Sequence, residues 1–420
     1  MRFLTFKYKG IHSLFATNKR GVSPMMINFS MENWLSDLNV FRSCFYSRNY
    51  ELFVRYITGL LVSQNKTIDG LNSVFVQKTD QSNVNRFLTE YPWLKTDFHD
   101  ELKQLFSRHR VGSSFSYFIL DDTLLEKVGK HIESAGIHFD HTTNQYVFGH
   151  QIVTTGYVFQ SGFYPFLLEL YTKREQCEKE DLVFKTKVEM ALEILQKAIT
   201  FHKPSIVLID SWYCTQEIIR FLEEQGIQYI IATKSNRVFR YRNKTRKISE
   251  FTSTLQNTAS FLKEEYQYQV KSIPAYFEDF GEKRLVFMRR RKNGTKEYEN
   301  WNALVTNIID VKDETIISFY SNRFSIEGFH KEAKQHLGLG KSQLRKRRGV
   351  VKHLHLVAAA YCLLKCAAWL KKGWRKISVP EMIRNVKDYF ERNTLIKTIQ
   401  ENKKDIVGAI TELFAHNRKS

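Results

Sequence analysis

In the stretch FYSNRFSIEGFHKEAKQHLGL, residues 319–339, one glutamate stands among basic side chains at helical spacing. At 100° per residue, Tyr320, Arg323, Glu327 and Lys334 fall within about 60° of arc and cover roughly 21 Å of one helix face. Phe319, Ile326, Phe329, Ala333 and Leu337 form a separate apolar stripe that would anchor such a helix to a core. Two readings compete. In the first, Arg323–Glu327 and Glu327–Lys331 are i,i+4 pairs on a wet helix, each worth a few tenths of a kcal/mol. In the second, the helix is one wall of a site that handles phosphate: Arg323 grips a phosphate through its fork, Lys334 acts as a point charge, and Glu327 faces bound cations.

Two further segments favour the second reading. YFILDD and SIVLID share one design, an apolar run followed by aspartate at the carboxyl end. In open α/β sheets, ligand sites lie beside such ends. An aspartate placed just after a strand buried on both faces must be exposed, paired or metal-bound, because burying it alone costs several kcal/mol. Two aspartates and a glutamate brought together repel one another unless divalent cations occupy the site, and hard oxygen ligands favour Mg²⁺ or Mn²⁺. Two such ions about 4 Å apart activate water or a 3′ hydroxyl and stabilise the leaving oxygen of a phosphodiester during in-line attack.

Composition fits a polyanionic partner. The chain has 420 residues, 43% of them hydrophobic, enough for two or three domains with substantial cores. Sixty-four Lys and Arg against 44 Asp and Glu give a formal charge of +20, so nucleic acid is the first candidate partner. The basic residues form no amphipathic terminal helix or juxtamembrane block, which ranks a membrane surface low. The apolar run LVAAAYCLL breaks at Lys365 before it spans a bilayer, and the opening MRFLTFKYKGIHSLF lacks a signal-peptide core. Five scattered cysteines without a Cys-x-x-Cys pair argue against a disulfide framework and a zinc ribbon, and they fit a reducing cytoplasm. His138, His141 and His150 read as loop and strand-end histidines rather than a zinc cluster.

The elements that must position the acids follow from periodicity. Residues 1–108 read as helical, with NYELFVRYITGLLVS at helical spacing and KTIDGLNSVF and SNVNRFLTEYPWL as short helices around a turn, a weak helix-turn-helix signal. From 109 to 234 the order is three strands, helix, strand, helix, strand, which predicts a mixed sheet covered on both faces. The helix FKTKVEMALEILQKAITF carries Phe184, Val188, Ala191, Leu195 and Ala198 on one face, and Gly226 closes TQEIIRFLEEQG. Residues 235–312 read as a basic, β-rich insertion with a hairpin turning at Asn293 and Gly294. Residues 313–345 read as the helix that carries Glu327, and 346–420 as a helical C-terminal region.

Tyr320, Arg323, Glu327 and Lys334 have the spacing of the YREK signature, and with the aspartates of ILDDT and LIDSWY they resemble the DDE transposases of bacterial insertion sequences. The likeness extends from about residue 115 to 360. It implies an α/β fold with a ribonuclease H-like core interrupted by the β-rich insertion, and Asp122, Asp210 and Glu327 as catalytic, metal-holding acids. It implies Mg²⁺ or Mn²⁺ as cofactor and a helical N-terminal domain that binds terminal repeats of double-stranded DNA. It also implies a homodimer pairing two transposon ends, and cut-and-paste transposition in a prokaryotic cytoplasm, at the nucleoid. Tyr320, Arg323 and Lys334, together with Lys331, Arg345, Arg347 and Arg348, are the expected DNA-binding residues. Trp301 is the nearest candidate for a tryptophan that stacks on a flipped base in some relatives. DSWYCTQE lacks the second acidic cluster that some relatives carry there. The alternative is a domesticated, non-catalytic DNA-binding relative, against which the retention of all three acids speaks.

Overall fold

The computed structural model describes residues 31–401 apart from 76–77, 94, 110, 112–114, 130, 141–142, 161, 257 and 370–377. His141 and the outer parts of the first and last expected segments therefore lie outside the described residues.

The chain begins with helices α1 (Met31–Val40), α2 (Ser47–Val62), α3 (Ile68–Ser73), α4 (Gln81–Thr89) and α5 (Lys95–Arg108). Local capping sets two of the starts: Thr67 accepts from the Gly70 amide at 3.1 Å and Asp80 from the Ser82 amide at 2.9 Å. Then come strands β1 (Tyr117–Glu126), β2 (Gly136–Asp140), β3 (Gln145–Phe159) and β4 (Gly162–Tyr171), and helices α6 (Arg174–Lys179) and α7 (Lys187–Phe201). A capping box between Thr186 and Glu189 starts α7, which buries Ala191, Ile194, Leu195 and Ala198. Phe184, expected on that face, precedes the helix because Thr186 is its N-cap. Strand β5 (Ile206–Ile209), helix α8 (Gln216–Glu224) and strand β6 (Gln228–Thr233) complete the alternation, and Gly226, at φ +61°, closes α8.

Strands β1, β3 and β4 are antiparallel neighbours, while β5 and β6 run parallel to β1. This is a mixed sheet flanked by helices, consistent with a ribonuclease H-like core. The next residues supply β7 (Val238–Tyr241), β8 (Lys244–Lys247), α9 (Ile248–Ser253), β9 (Ala259–Lys263), β10 (Tyr266–Phe277), β11 (Gly281–Lys292) and β12 (Asn302–Thr306). Strand β12 pairs with β6, Ala303 opposite Thr233, so these strands continue the core sheet. That pairing covers the backbone groups that β6 would leave open at an edge. The turn after β11 falls at Asn293 and Gly294, the latter at φ +86°.

Helices α10 (Asp313–Tyr320) and α11 (Ser325–His336) follow, then α12 (Arg347–Trp369) and α13 (Val379–Glu401). By length and composition residues Arg347–Ala367 suit a membrane, yet 83% of that window is buried inside the protein. The helix runs on through Lys365, whose ammonium lies 5.4 Å from the Tyr361 ring centroid. The N-terminal helices close around α12: Lys352 Nζ donates to Phe87 O at 3.2 Å, and Tyr56 Oη meets His353 Nδ1 at 2.9 Å. All five cysteines are buried and none is in a disulfide, and His138 and His150 are buried strand residues.

Candidate active site

The register between β1 and β5 determines which acids meet. Leu120 lies beside Ile209 in a parallel pair, so the next step places Asp121 alongside Asp210. Neighbouring positions of paired strands point to the same face, and successive residues of one strand point to opposite faces. Asp121 therefore shares a face with Asp210, and Asp122 turns away. Phe118, Ile119 and Leu120 are all fully buried, which delivers the two aspartates to the end of a strand covered on both sides.

The third acid arrives on the helical segment after β12. Residues 313–336 are not one continuous α-helix: a 3₁₀ turn, Ser321–Phe324, separates α10 from α11. Ser321 Oγ and Asn322 Nδ2 donate to the Ser318 carbonyl at 2.7 and 3.2 Å, a local competition with the α-helical ladder. Arg323 sits on that turn. Its Nη1 donates to Asp121 Oδ2 at 2.8 Å and its Nη2 to Glu327 Oε1 at 3.0 Å, so one guanidinium joins the first strand to the helix. The expected apolar stripe holds, with Ile326, Phe329, Ala333 and Leu337 fully buried.

Electrostatics sharpen the arrangement. Burial pushes the Asp121 carboxyl up to about 7, opposed by Arg323 and reinforced by Asp210 and Asp122. Burial works against the charge of Arg323, yet Tyr320, Asp121, Asp210 and Glu327 together hold it above its ordinary value. Arg323 Nε is buried without a hydrogen-bond partner. The Tyr320 ring is buried, its phenol pushed up by that burial, and the guanidinium carbon lies 5.8 Å from its centroid.

Asp122, the expected first acid, is placed differently. Its Oδ2 pairs with Lys187 at the start of α7 and accepts from Gln151 on β3, a satisfied pair away from Arg323. Lys334 also differs from expectation: its ammonium donates to Thr123 Oγ1 at 2.9 Å and Leu124 O at 3.3 Å, bracing β1. Lys331, Arg345 and Arg348 are exposed. Arg347 is partly buried and lines a cavity of about 310 Å³ with Thr172, Cys177 and Lys197. Trp301 is partly buried against the core, with the Arg289 guanidinium 4.6 Å from its centroid. The likeness takes the aspartate before threonine in ILDDT, Asp122, as the first acid rather than Asp121, and Lys187 and Gln151 carry no sequence signal; strand parity separates the two aspartates, but the residues of β1 buried on both faces hide it.

The donor set suits a divalent cation in its chemistry. Asp121 and Asp210 present hard oxygens on one face, and burial raises the Asp121 carboxyl while Arg323 opposes the shift. Among the described residues no three His, Cys, Asp or Glu side chains are gathered closely enough, as they stand, to hold an ion. Arg323 supplies the positive charge between Asp121 and Glu327.

Two family models match the chain. The family described as DDE superfamily endonuclease matches residues 41–250, half of the 420-residue chain, and includes both strand-end aspartates. The family described as Transposase DDE domain matches residues 185–363, which includes Asp210 and Glu327. No curated protein matches the chain. With the two matches overlapping across the second acid and a sheet that brings the strand-end acids to the arginine-bearing helix, the chain belongs to the DDE superfamily of transposases and endonucleases.

Proposed function

We propose that the protein is the transposase of an insertion sequence, binding terminal inverted repeats and moving its element by cut-and-paste transposition. Asp121, Asp210 and Glu327 are the acids of this reading. The observation that carries it is the Arg323 bridge from Asp121 to Glu327 with Asp210 alongside. Bound Mg²⁺ or Mn²⁺ would lower the pKa of a coordinated water and offset charge on the leaving oxygen.

The chain's own residues do the rest. Asp121 and Asp210 provide a fixed pair of oxygens at the ends of buried strands, and Glu327, with 53% of its side chain exposed, is the acid free to turn toward them. Arg323 neutralises the cluster while it is empty of substrate and is positioned to take a backbone phosphate through its fork. Lys334 holds the end of β1 in register, so Asp121 stays on the site face. Water is the first nucleophile, and the freed 3′ hydroxyl then joins target DNA. Exposed Lys331, Arg345 and Arg348 extend a basic surface for the duplex, the N-terminal helices bind the repeat, and two copies pair the ends in the cytoplasm of a prokaryote.

The test is cleavage of a duplex carrying the inverted repeat that flanks the coding sequence, with and without Mg²⁺. The wild type cuts only with the ion, and Glu327→Ala binds the duplex but does not cut. Binding with no cutting by the wild type in Mg²⁺ or Mn²⁺ would support the domesticated DNA-binding alternative.

A further inference from the structure

The cavity that Arg347 lines lies between the end of β4, helices α6 and α7, and the start of α12, and its volume of about 310 Å³ is at the lower end of the range for small-molecule sites. Two polar atoms buried in its lining residues have no hydrogen-bond partner among the described residues, Thr172 Oγ1 and Arg347 Nε. Thr172 is only 7% exposed. A hydroxyl buried that deeply costs folding free energy unless a partner meets it. The backbone beside both groups is already satisfied: Cys177 Sγ donates to the Thr172 carbonyl at 3.5 Å, and the Arg347 amide donates to Glu133 Oε2 at 2.8 Å. The two side chains are thus carried on anchored backbone with polar atoms unmatched.

The rest of the lining narrows the chemistry of a ligand. Lys185 and Glu193 pair with each other at 2.6 Å and neutralise one another. Arg347 and Lys197, two cations, then stand against Glu169, one acid, which leaves an excess of one positive charge. A second negative charge on the ligand would meet Glu169 and Glu193, so the lining selects a monoanion over a dianion such as phosphate. Leu170, Met190 and Ile194 supply an apolar wall for a short aliphatic body. None of the described lining residues is aromatic, so a base has no ring to stack on, which sets nucleotides aside.

We infer that this cavity binds a small organic acid with a single carboxylate and a short aliphatic body. Arg347 takes the carboxylate through its fork, Thr172 donates its hydroxyl to the same group, and Leu170, Met190 and Ile194 cover the hydrocarbon. Asp121, Asp210, Arg323 and Glu327 are not among its lining residues, so the site stands apart from the reading of the acids.

The experiment titrates the full-length protein with 4-methylpentanoate by calorimetry, with 4-methylpentanamide and inorganic phosphate as comparisons. The acid is expected to bind saturably at one site per chain with a Kd of about 1 mM or below and to raise the melting temperature. The amide and phosphate are expected to bind at least about 10-fold more weakly. Arg347→Lys and Thr172→Val each remove a hydrogen bond to a charged group and should each weaken binding of the acid by about 10-fold or more. Without the acid, Thr172→Val should melt no lower than the wild type, because a buried hydroxyl with no partner is lost without penalty. No saturable binding of the acid up to about 10 mM, undiminished binding by both variants, or phosphate binding as tight as that of the acid would overturn the assignment. A lower melting temperature of acid-free Thr172→Val would overturn it too, since the hydroxyl would then already have a partner.

Discussion

Removing the Arg323 guanidinium exposes how the site balances its charge. In Arg323→Ala the Asp121 carboxylate loses the one cation that touches it among the described residues, at 2.8 Å, in a place where only 15% of its side chain is exposed. The folded carboxyl sits at about 7 against an ordinary 3.8, so below pH 3.8 it is protonated in both folded and unfolded chains and contributes nothing. As pH rises, the unfolded chain releases its proton and the folded protein keeps it, so stability falls by about 1.4 kcal/mol per pH unit until the folded value is reached. Without Arg323 that value moves higher and the decline continues past pH 7. Protonation limits the extra loss. At pH 8 it is about 1.4 kcal/mol, and at pH 6, with Asp121 protonated in both proteins, it is near zero. Lost packing against Tyr320 and Phe324, 5.8 and 5.0 Å from the guanidinium carbon, adds a cost that does not depend on pH. Urea unfolding of both proteins at pH 6 and 8, in a chelator, measures the difference. An equal loss at the two pH values would refute the reasoning, and an Asp121→Asn background should abolish the pH dependence.

Other outcomes follow from the packing. Burial depresses His150 and His353 to about 4 and His330 to about 3, so they fold neutral and stabilise the protein above pH 6.5. As pH falls to 5, each removes up to about 2 kcal/mol, and urea unfolding that shows equal stability at pH 7.5 and 5 would contradict this. A Cβ on Gly156 would stand 2.4 Å from the Phe163 ring and 2.6 Å from the Tyr164 carbonyl. Gly156→Ala should therefore cost about 1–3 kcal/mol through forced repacking at the β3–β4 bulge, and an unchanged melting temperature would rule that out.

Much of the fold was legible because the governing patterns are local. Apolar runs ending in aspartate marked β1 and β5, and the stripe of Ile326, Phe329, Ala333 and Leu337 marked the buried side of α11. Asp210, Arg323 and Glu327 were joined into one set only by the resemblance to DDE transposases, since no local pattern links residues so far apart. The choice between Asp121 and Asp122 was not, because it depends on the register of β1 against β5, and a strand buried on both faces carries no alternation to reveal it. The bonds from Lys334 to β1 were not legible, since a helix face does not say whether its cation meets solvent or a neighbouring strand. The 3₁₀ break at Arg323 comes from Ser321 and Asn322 side chains bonding back to the chain, an effect that periodicity does not capture. Residues 235–312 read as a β-rich insertion in the sheet domain, but the joining of β12 to β6 is a long-range pairing that composition does not reveal.

The strand-end carboxylate facing Asp210 and Arg323 belongs to Asp121. Cleavage of the terminal-repeat duplex in Mg²⁺ by Asp121→Asn and Asp122→Asn, with duplex binding measured in parallel, tests it most directly. Asp121→Asn is expected to lose activity on the order of 10³-fold or more with binding retained, and Asp122→Asn to lose far less. Full activity in Asp121→Asn together with an inactive Asp122→Asn would contradict it.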